Sequence, residues 1–260
     1  MALFVTLTER KFLAYAQRRM GPAFMGRNGA FQIGLDLVKL LTKEIFLIPR
    51  PSTALAPIFV AMWYSTQLTF SQNFIWGPSA VLFEGVDSLI LYHLVLILFS
   101  NIFFVLMGLL SQSRYAIIAT VRVLVHTISL DIFVTVLYSL LIFSAQSANF
   151  HDFVYAQNNH WFLFLYAPAA STFITIMLLE AKRAPFDHAE TESEVVSGYQ
   201  IEYSGPMLMV IYLAEYLHLV IASVHFTLFF LGGWVALKIL WILPPVFEVP
   251  HDVNFWIHLF

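Results

Sequence analysis

Six carboxylates, Glu180, Asp187, Glu190, Glu192, Glu194 and Glu202, fall in one stretch of chain that offers only Lys182 and Arg183 as counter-charges. The local formal charge is −4, and hydrophobic segments flank it on both sides. Acids this crowded cannot all ionise unaided, so some hold their protons more tightly and titrate as a group, the property a proton relay or a charge-driven switch requires. A solvated acidic loop is the simpler alternative, because structural charge clusters perturb proton affinity too. Two more acids, Asp131 and Glu215, lie inside apolar stretches. Asp131 sits about 16 residues into its stretch, roughly 24 Å of helix, and Glu215 about 9 residues into its own, roughly 14 Å. A carboxylate near mid-bilayer costs about 2.5 to 3.5 kcal/mol on insertion scales, so it faces protein or water and is kept for a use. A structural hydrogen bond between helices is the competing role. Arg122 is nine residues from Asp131, hence on the opposite face of one helix, and does not pair with it directly.

These groups must be positioned by a membrane protein. The chain is 60% hydrophobic and 11% charged, against roughly 25% charged in a soluble domain. Uncharged runs long enough for roughly 20 residues of spanning helix occur over Pro51 to Phe83, Ser88 to Ser113, Ile132 to Phe150, Phe153 to Leu179 and Tyr216 to Leu237. Their length predicts an all-α, polytopic helix bundle rather than a barrel. Membrane helices are expected at about 52–70, 86–110, 116–143, 161–179 and 206–231, all in a single membrane domain. Met1 to Leu7 reads as the end of a first helix, since a signal peptide would carry its basic residues ahead of the apolar stretch.

Eight of the thirteen basic residues lie between Glu9 and Arg50, which puts that segment on the cytoplasmic or matrix face. Counting crossings puts the acidic segment on the same face, so the two oppositely charged segments are expected to pack together. Within the basic one, Phe31, Gly34, Leu35, Val38 and Leu41 fall on one helical face and Gln32, Asp36, Lys39 and Lys43 on the other. This predicts an amphipathic interfacial helix over about 29–43, ended by Pro49-Arg50-Pro51. With no cysteine the chain offers no disulfide and no thiolate ligand for zinc or iron–sulfur clusters. His126, His218 and His225 lack a second ligand at metal spacing and read as core or interface residues. The glycines form no phosphate-cradling pattern; Gly232-Gly233 reads as a turn.

Leu7-Thr8-Glu9-Arg10-Lys11, Arg19-Met20-Gly21-Pro22, Lys39-Leu40-Leu41-Thr42-Lys43-Glu44, Arg183-Ala184-Pro185-Phe186-Asp187, Glu190-Thr191-Glu192-Ser193-Glu194, Ile201-Glu202-Tyr203 and Ala214-Glu215-Tyr216 are recognisable as a set. In that order they resemble the signature segments of the chain 1 family of NADH:ubiquinone oxidoreductase, respiratory complex I, which includes bacterial counterparts. Phe230-Leu231-Gly232-Gly233-Trp234 is a further, bacterial-looking match. The resemblance implies eight membrane helices with an interfacial helix after the first. It implies a subunit of an H+-translocating NADH:ubiquinone reductase, inactive alone, that helps form the quinone chamber and starts the proton path into the membrane arm. On that resemblance Glu9, Arg10, Arg19, Glu44, Arg183 and Asp187 line or support the chamber. Asp131, Glu180, Glu190, Glu192, Glu194, Glu202 and Glu215 match the acidic path.

The same resemblance implies ubiquinone as substrate and no cofactor bound by this chain alone, with FMN and iron–sulfur clusters in partner subunits. Partners would be the other membrane and soluble-arm subunits and membrane lipids, with no nucleic acid, in the mitochondrial inner membrane. Three departures stand out. Lys182 replaces a common asparagine and adds a cation, and Asp131 replaces a glutamate with a side chain one methylene shorter. The chain is also shorter than the family at both ends, which suggests a fragment of a split mitochondrial gene, completed by separate chains that supply the rest of the first helix and the last helices. A stand-alone transporter or channel using the same buried acids is the alternative function; the lack of an internal repeat and the unfinished ends favour a subunit.

Overall fold

A computed structural model describes residues 2–26, 29–45, 53–73, 88–158, 160–183, 186, 196 and 198–233. Their regular structure is helical: α1 (Ala2–Ala16), α2 (Gln32–Thr42), α3 (Ala56–Asn73), α4 (Leu89–Leu110), α5 (Arg114–Ala145), α6 (Phe150–Ala156), α7 (Phe162–Leu165), α8 (Ala167–Glu180) and α9 (Pro206–Phe230), with 3-10 turns at Thr53–Leu55 and Gly198–Gln200. No strand occurs among the described residues. The fold is all-α, and α4, α5 and α9 are each long and apolar enough to cross a membrane. The 22 residues of α4 rise about 33 Å and carry no charge over their whole length.

Helix ends follow local chemistry. At the α4–α5 turn Gln112 takes a positive φ of 55°, and the Ser113 hydroxyl accepts a hydrogen bond from the Ala116 amide at 3.1 Å, capping α5. Gly108 allows α4 to approach α5 closely here, since a Cβ at that position would collide with the Thr120 methyl. The segment 161–179, read from sequence as one span, is broken: α7 ends at Tyr166 and the 14-residue α8 follows, about 21 Å long. At the end of α9, Gly232 and Gly233 take φ of 77° and 53°, and the Leu231 and Gly233 amides both bond the Thr227 carbonyl.

The chain divides into two compact units. One comprises 1–68, 100–125 and 181–220; its core places the Trp63 ring 5.2 Å from Phe104 and Phe104 4.7 Å from Tyr199, over fully buried Met107, Ile211 and Ala214. The other comprises 69–99, 126–180 and 221–260. There Phe229 meets Tyr138 at 5.0 Å, Phe153 at 5.6 Å and Phe150 at 5.8 Å. Buried Gln157 donates to the carbonyls of Phe153 and Leu228 and accepts from the Phe162 amide, so its polar atoms are used. Outward positions such as Phe133, Val136 and Phe143 of α5 are apolar and exposed, as suits lipid or neighbouring subunits in place of water.

Candidate functional site

The site is built in the first unit. The segment after α8 carries Lys182 and Arg183 back to the N-terminal helix. Arg183 Nη1 pairs with Glu9 of α1 at 3.1 Å, both side chains less than a third exposed, and the guanidinium lies 4.6 Å from the Tyr216 ring centroid. Burial works against the charged guanidinium, but Tyr216, Glu9 and Glu215 outweigh it and raise its pKa further. Gly205, at φ +57°, lies against the carbonyls of Lys43 and Glu44, where a Cβ would come within 2.9 Å of backbone oxygen. Among the described residues, Arg183 of the acidic segment pairs with Glu9 of the basic one, and Gly205, just beyond the acidic segment, lies against the backbone of Lys43 and Glu44.

Arg10, one residue after Glu9, turns to α2 and pairs with Asp36 at 2.5 Å, while Gln32 holds the other Asp36 oxygen at 3.2 Å. The stripe Phe31, Leu35, Val38 and Leu41 is exposed. The face of α2 turned to α1 and α9 is instead Ile33, Asp36, Leu37 and Leu40, which line a cavity of about 310 Å³. Leu3 and Thr6 of α1 and Met209, Leu213 and Tyr216 of α9 form other walls, and Arg10 and Asp36 supply a polar wall. The cavity therefore offers a long apolar lining with a few polar groups, the composition of a site for an amphiphile. Arg19 and Glu44 are exposed.

Glu215 of α9 receives a hydrogen bond from the Tyr199 hydroxyl, with the Gln200 amide at 3.3 Å. Both partners come from the 3-10 turn Gly198–Gln200, and both are buried. Lys182, with φ 51°, places its ammonium 3.0 Å from the Phe104 ring centroid, 4.9 Å from Tyr199 and 5.5 Å from Trp63. The extra cation is thus held by π-faces, one of which belongs to the donor on Glu215. The Tyr203 hydroxyl donates to the Met107 carbonyl at 2.7 Å; burial, aided by half-buried Glu202, pushes its pKa well above the ordinary phenol range.

Asp131 and Glu180 belong to the second unit and are half-buried. Asp187, Glu190, Glu192 and Glu194 lie outside the described residues. The structure adds Tyr199, Gln200 and His93, which no spacing or motif had singled out, and gives Asp36, read from sequence only as part of the polar face of α2, a partner in Arg10; a phenol before an acid-bearing helix is common in any sequence. Among the described residues no three His, Asp or Glu side chains converge on a metal-sized site.

A family model described as NADH dehydrogenase matches residues 1–257. The chain belongs to the NADH dehydrogenase family. It is 37% identical over 237 residues to NADH-ubiquinone oxidoreductase chain 1 of Paramecium tetraurelia, covering 90% of this chain and 89% of that one. Against NADH-ubiquinone oxidoreductase chain 1 of Yarrowia lipolytica it is 31% identical over 258 residues, 97% of this chain and 74% of the relative. Against a bacterial relative, a subunit of the NADH-quinone oxidoreductase of Carboxydothermus hydrogenoformans, it is 32% identical over 238 residues, 90% of this chain and 67% of the relative. As a member of this family the chain is a multi-pass membrane subunit of an NADH dehydrogenase complex, with relatives in both eukaryotes and bacteria.

Proposed function

We propose that this subunit forms part of the passage and chamber in which a quinone is reduced, and the start of an acidic proton path leading away from it. The observation that carries the reading is the cavity walled by α1, α2 and α9, apolar along most of its lining and polar at Arg10 and Asp36. An isoprenoid tail suits the apolar walls, and a quinone headgroup suits the hydrogen-bonding groups beyond them. Glu9, Arg183 and Tyr216 stand beside that cavity, with Tyr216 shared between the two arrangements. On the family resemblance Arg19, Glu44 and Asp187 would also support the chamber.

Reduction of a quinone to quinol consumes two protons, so charge must be rebalanced next to the site. Glu215, reached through Tyr199 and Gln200, is the acid best placed to respond, with Glu202, Glu180, Glu190, Glu192, Glu194 and Asp131 continuing the path. The chain has no thiolate with which to hold an iron–sulfur cluster, so electrons would arrive from soluble-arm partners carrying FMN and iron–sulfur clusters. Relatives in Paramecium and Yarrowia favour the mitochondrial inner membrane as its place.

Leu40→Trp tests the passage by filling its wall. In the assembled complex it should raise KM roughly tenfold for a long-tailed quinone while leaving a tailless analogue unaffected. An unchanged KM for the long-tailed substrate would remove the cavity from the quinone route.

A further inference from the structure

Just after α8 the backbone of Lys182 takes a φ of 51°, a left-handed conformation that a β-carbon disfavours. The side chain is half-buried and sets its ammonium beside three rings: Phe104 of α4 at 3.0 Å, Tyr199 of the Gly198–Gln200 turn at 4.9 Å and Trp63 of α3 at 5.5 Å. The rings brace one another, Trp63 lying 5.2 Å and Tyr199 4.7 Å from Phe104, both edge-on. All three are buried in the core of the first unit, so the box is a fixed part of the fold.

An ammonium gives up hydration to enter such a box, whereas a neutral side chain of similar length would fill it without that cost. The π-faces return part of the cost. What the charge adds beyond packing is a field, and one wall of the box leads to an acid. The Tyr199 hydroxyl donates to Glu215 Oε1, and the Gln200 amide stands 3.3 Å from the same oxygen. Two donors on Oε1 leave Oε2 to carry the proton of the neutral acid. Arg183, the next residue in the chain, also feels Glu215, but it pairs with Glu9 at 3.1 Å.

We infer that Lys182 is a positioning residue for proton transfer at Glu215: its ammonium pins the Tyr199 ring and supplies the positive charge that balances the Glu215 carboxylate. The step moves one proton. The O–H bond of Glu215 breaks, and an O–H bond forms at the quinone oxygen that reduction has made basic, directly or through intervening groups. The carboxylate left behind keeps its bonds from Tyr199 and Gln200, now charge-assisted, and faces the ammonium across the phenol ring. A single ring holds the two groups within roughly 10 Å, where a unit charge shifts an equilibrium about tenfold or more in an effective dielectric of about 20. The inference rests on the proton-path reading above.

The experiment uses the intact NADH-oxidising complex in sealed vesicles, with Lys182→Met and Lys182→Gln, each alone and combined with Glu215→Gln. Methionine packs well on aromatic rings, and glutamine keeps a polar end, so both fill the box without the charge. Redox-induced infrared difference spectra read Glu215 directly, as the carboxyl band that disappears in Glu215→Gln. In either assembled lysine variant that band should lose most of its amplitude and coupled turnover should fall about tenfold. In the Glu215→Gln background the same substitutions should change turnover by no more than about twofold. A Glu215 band of native size without the lysine, lysine effects that multiply undiminished on Glu215→Gln, or loss of assembly in both variants would overturn the role of Lys182. A native complex with no carboxyl band lost in Glu215→Gln would instead overturn the wider path.

Discussion

The Glu9–Arg183 pair gives the sharpest quantitative test of the chamber. Its partners are 174 residues apart in sequence, meet at 3.1 Å and are 30% and 29% exposed. A fully exposed pair is worth about 0–1 kcal/mol, and breaking a fully buried one costs about 3–5 kcal/mol. At under one third exposure the coupling should fall between these, at about 1–2 kcal/mol, after allowance for solvent screening. Arg183 also lies over Tyr216 at 4.6 Å, an attraction of about 0.5–1 kcal/mol that Glu9→Gln leaves intact. Arg183→Gln should therefore cost more than Glu9→Gln, and adding Glu9→Gln to Arg183→Gln should cost little more. The assay is kcat/KM for quinone in the assembled complex, measured across the double-mutant cycle. The coupling should appear as a factor of about 5–30 by which the double variant outperforms the product of the single effects. Agreement with simple multiplication to within about twofold, the ordinary limit of additivity, would show that the ion pair does not help hold the chamber.

Glu215→Gln preserves shape and hydrogen bonding to Tyr199 and Gln200 but cannot ionise, so assembly should survive while quinone reductase turnover and pumping fall; native turnover at the native proton-to-electron ratio would leave Glu215 a structural residue. Tyr203→Phe removes the hydroxyl's hydrogen bond to the Met107 carbonyl and should cost about 0.5–1.5 kcal/mol, read as earlier thermal loss of the assembled complex. Because the folded state raises the pKa of Tyr203, its stabilisation is fully present below the ordinary phenol value of about 10 and is lost as pH rises beyond it. Heat resistance should thus fall more steeply above that pH in the native complex than in Tyr203→Phe, and parallel profiles would exclude the effect.

Membrane burial and helical class are legible in composition because each depends on averages over about 20 residues, which errors at single positions do not change. Helix ends are harder. The break at Tyr166 depends on local backbone preferences inside an apolar run that hydropathy reads as continuous. The two faces of α2 differ in how legible they are. Its apolar stripe, Phe31, Leu35, Val38 and Leu41, is exposed, in keeping with the expectation of an amphipathic helix that turns this face to lipid. What turns inward beside the cavity is the face that includes Asp36, and only the three-dimensional partner Arg10 explains an acid there.

The residues of the proposed site divide along the same line. Glu215 stands out in sequence because a charge within hydrocarbon demands a reason, and Glu9 and Arg183 through the segments that resemble the family. Their neutral partners do not: Tyr199, Gln200 and Tyr216 acquire meaning through contacts that join segments distant in the chain. His93 is the extreme case. Nothing in an uncharged apolar helix marks it, yet in the fold its ring lies 4.3 Å from that of His225 and 4.5 Å from that of Phe70. A search confined to carboxylates and arginines would pass over such a contact, because inside hydrocarbon neutral polar side chains also need partners, and only the fold shows which ones they find.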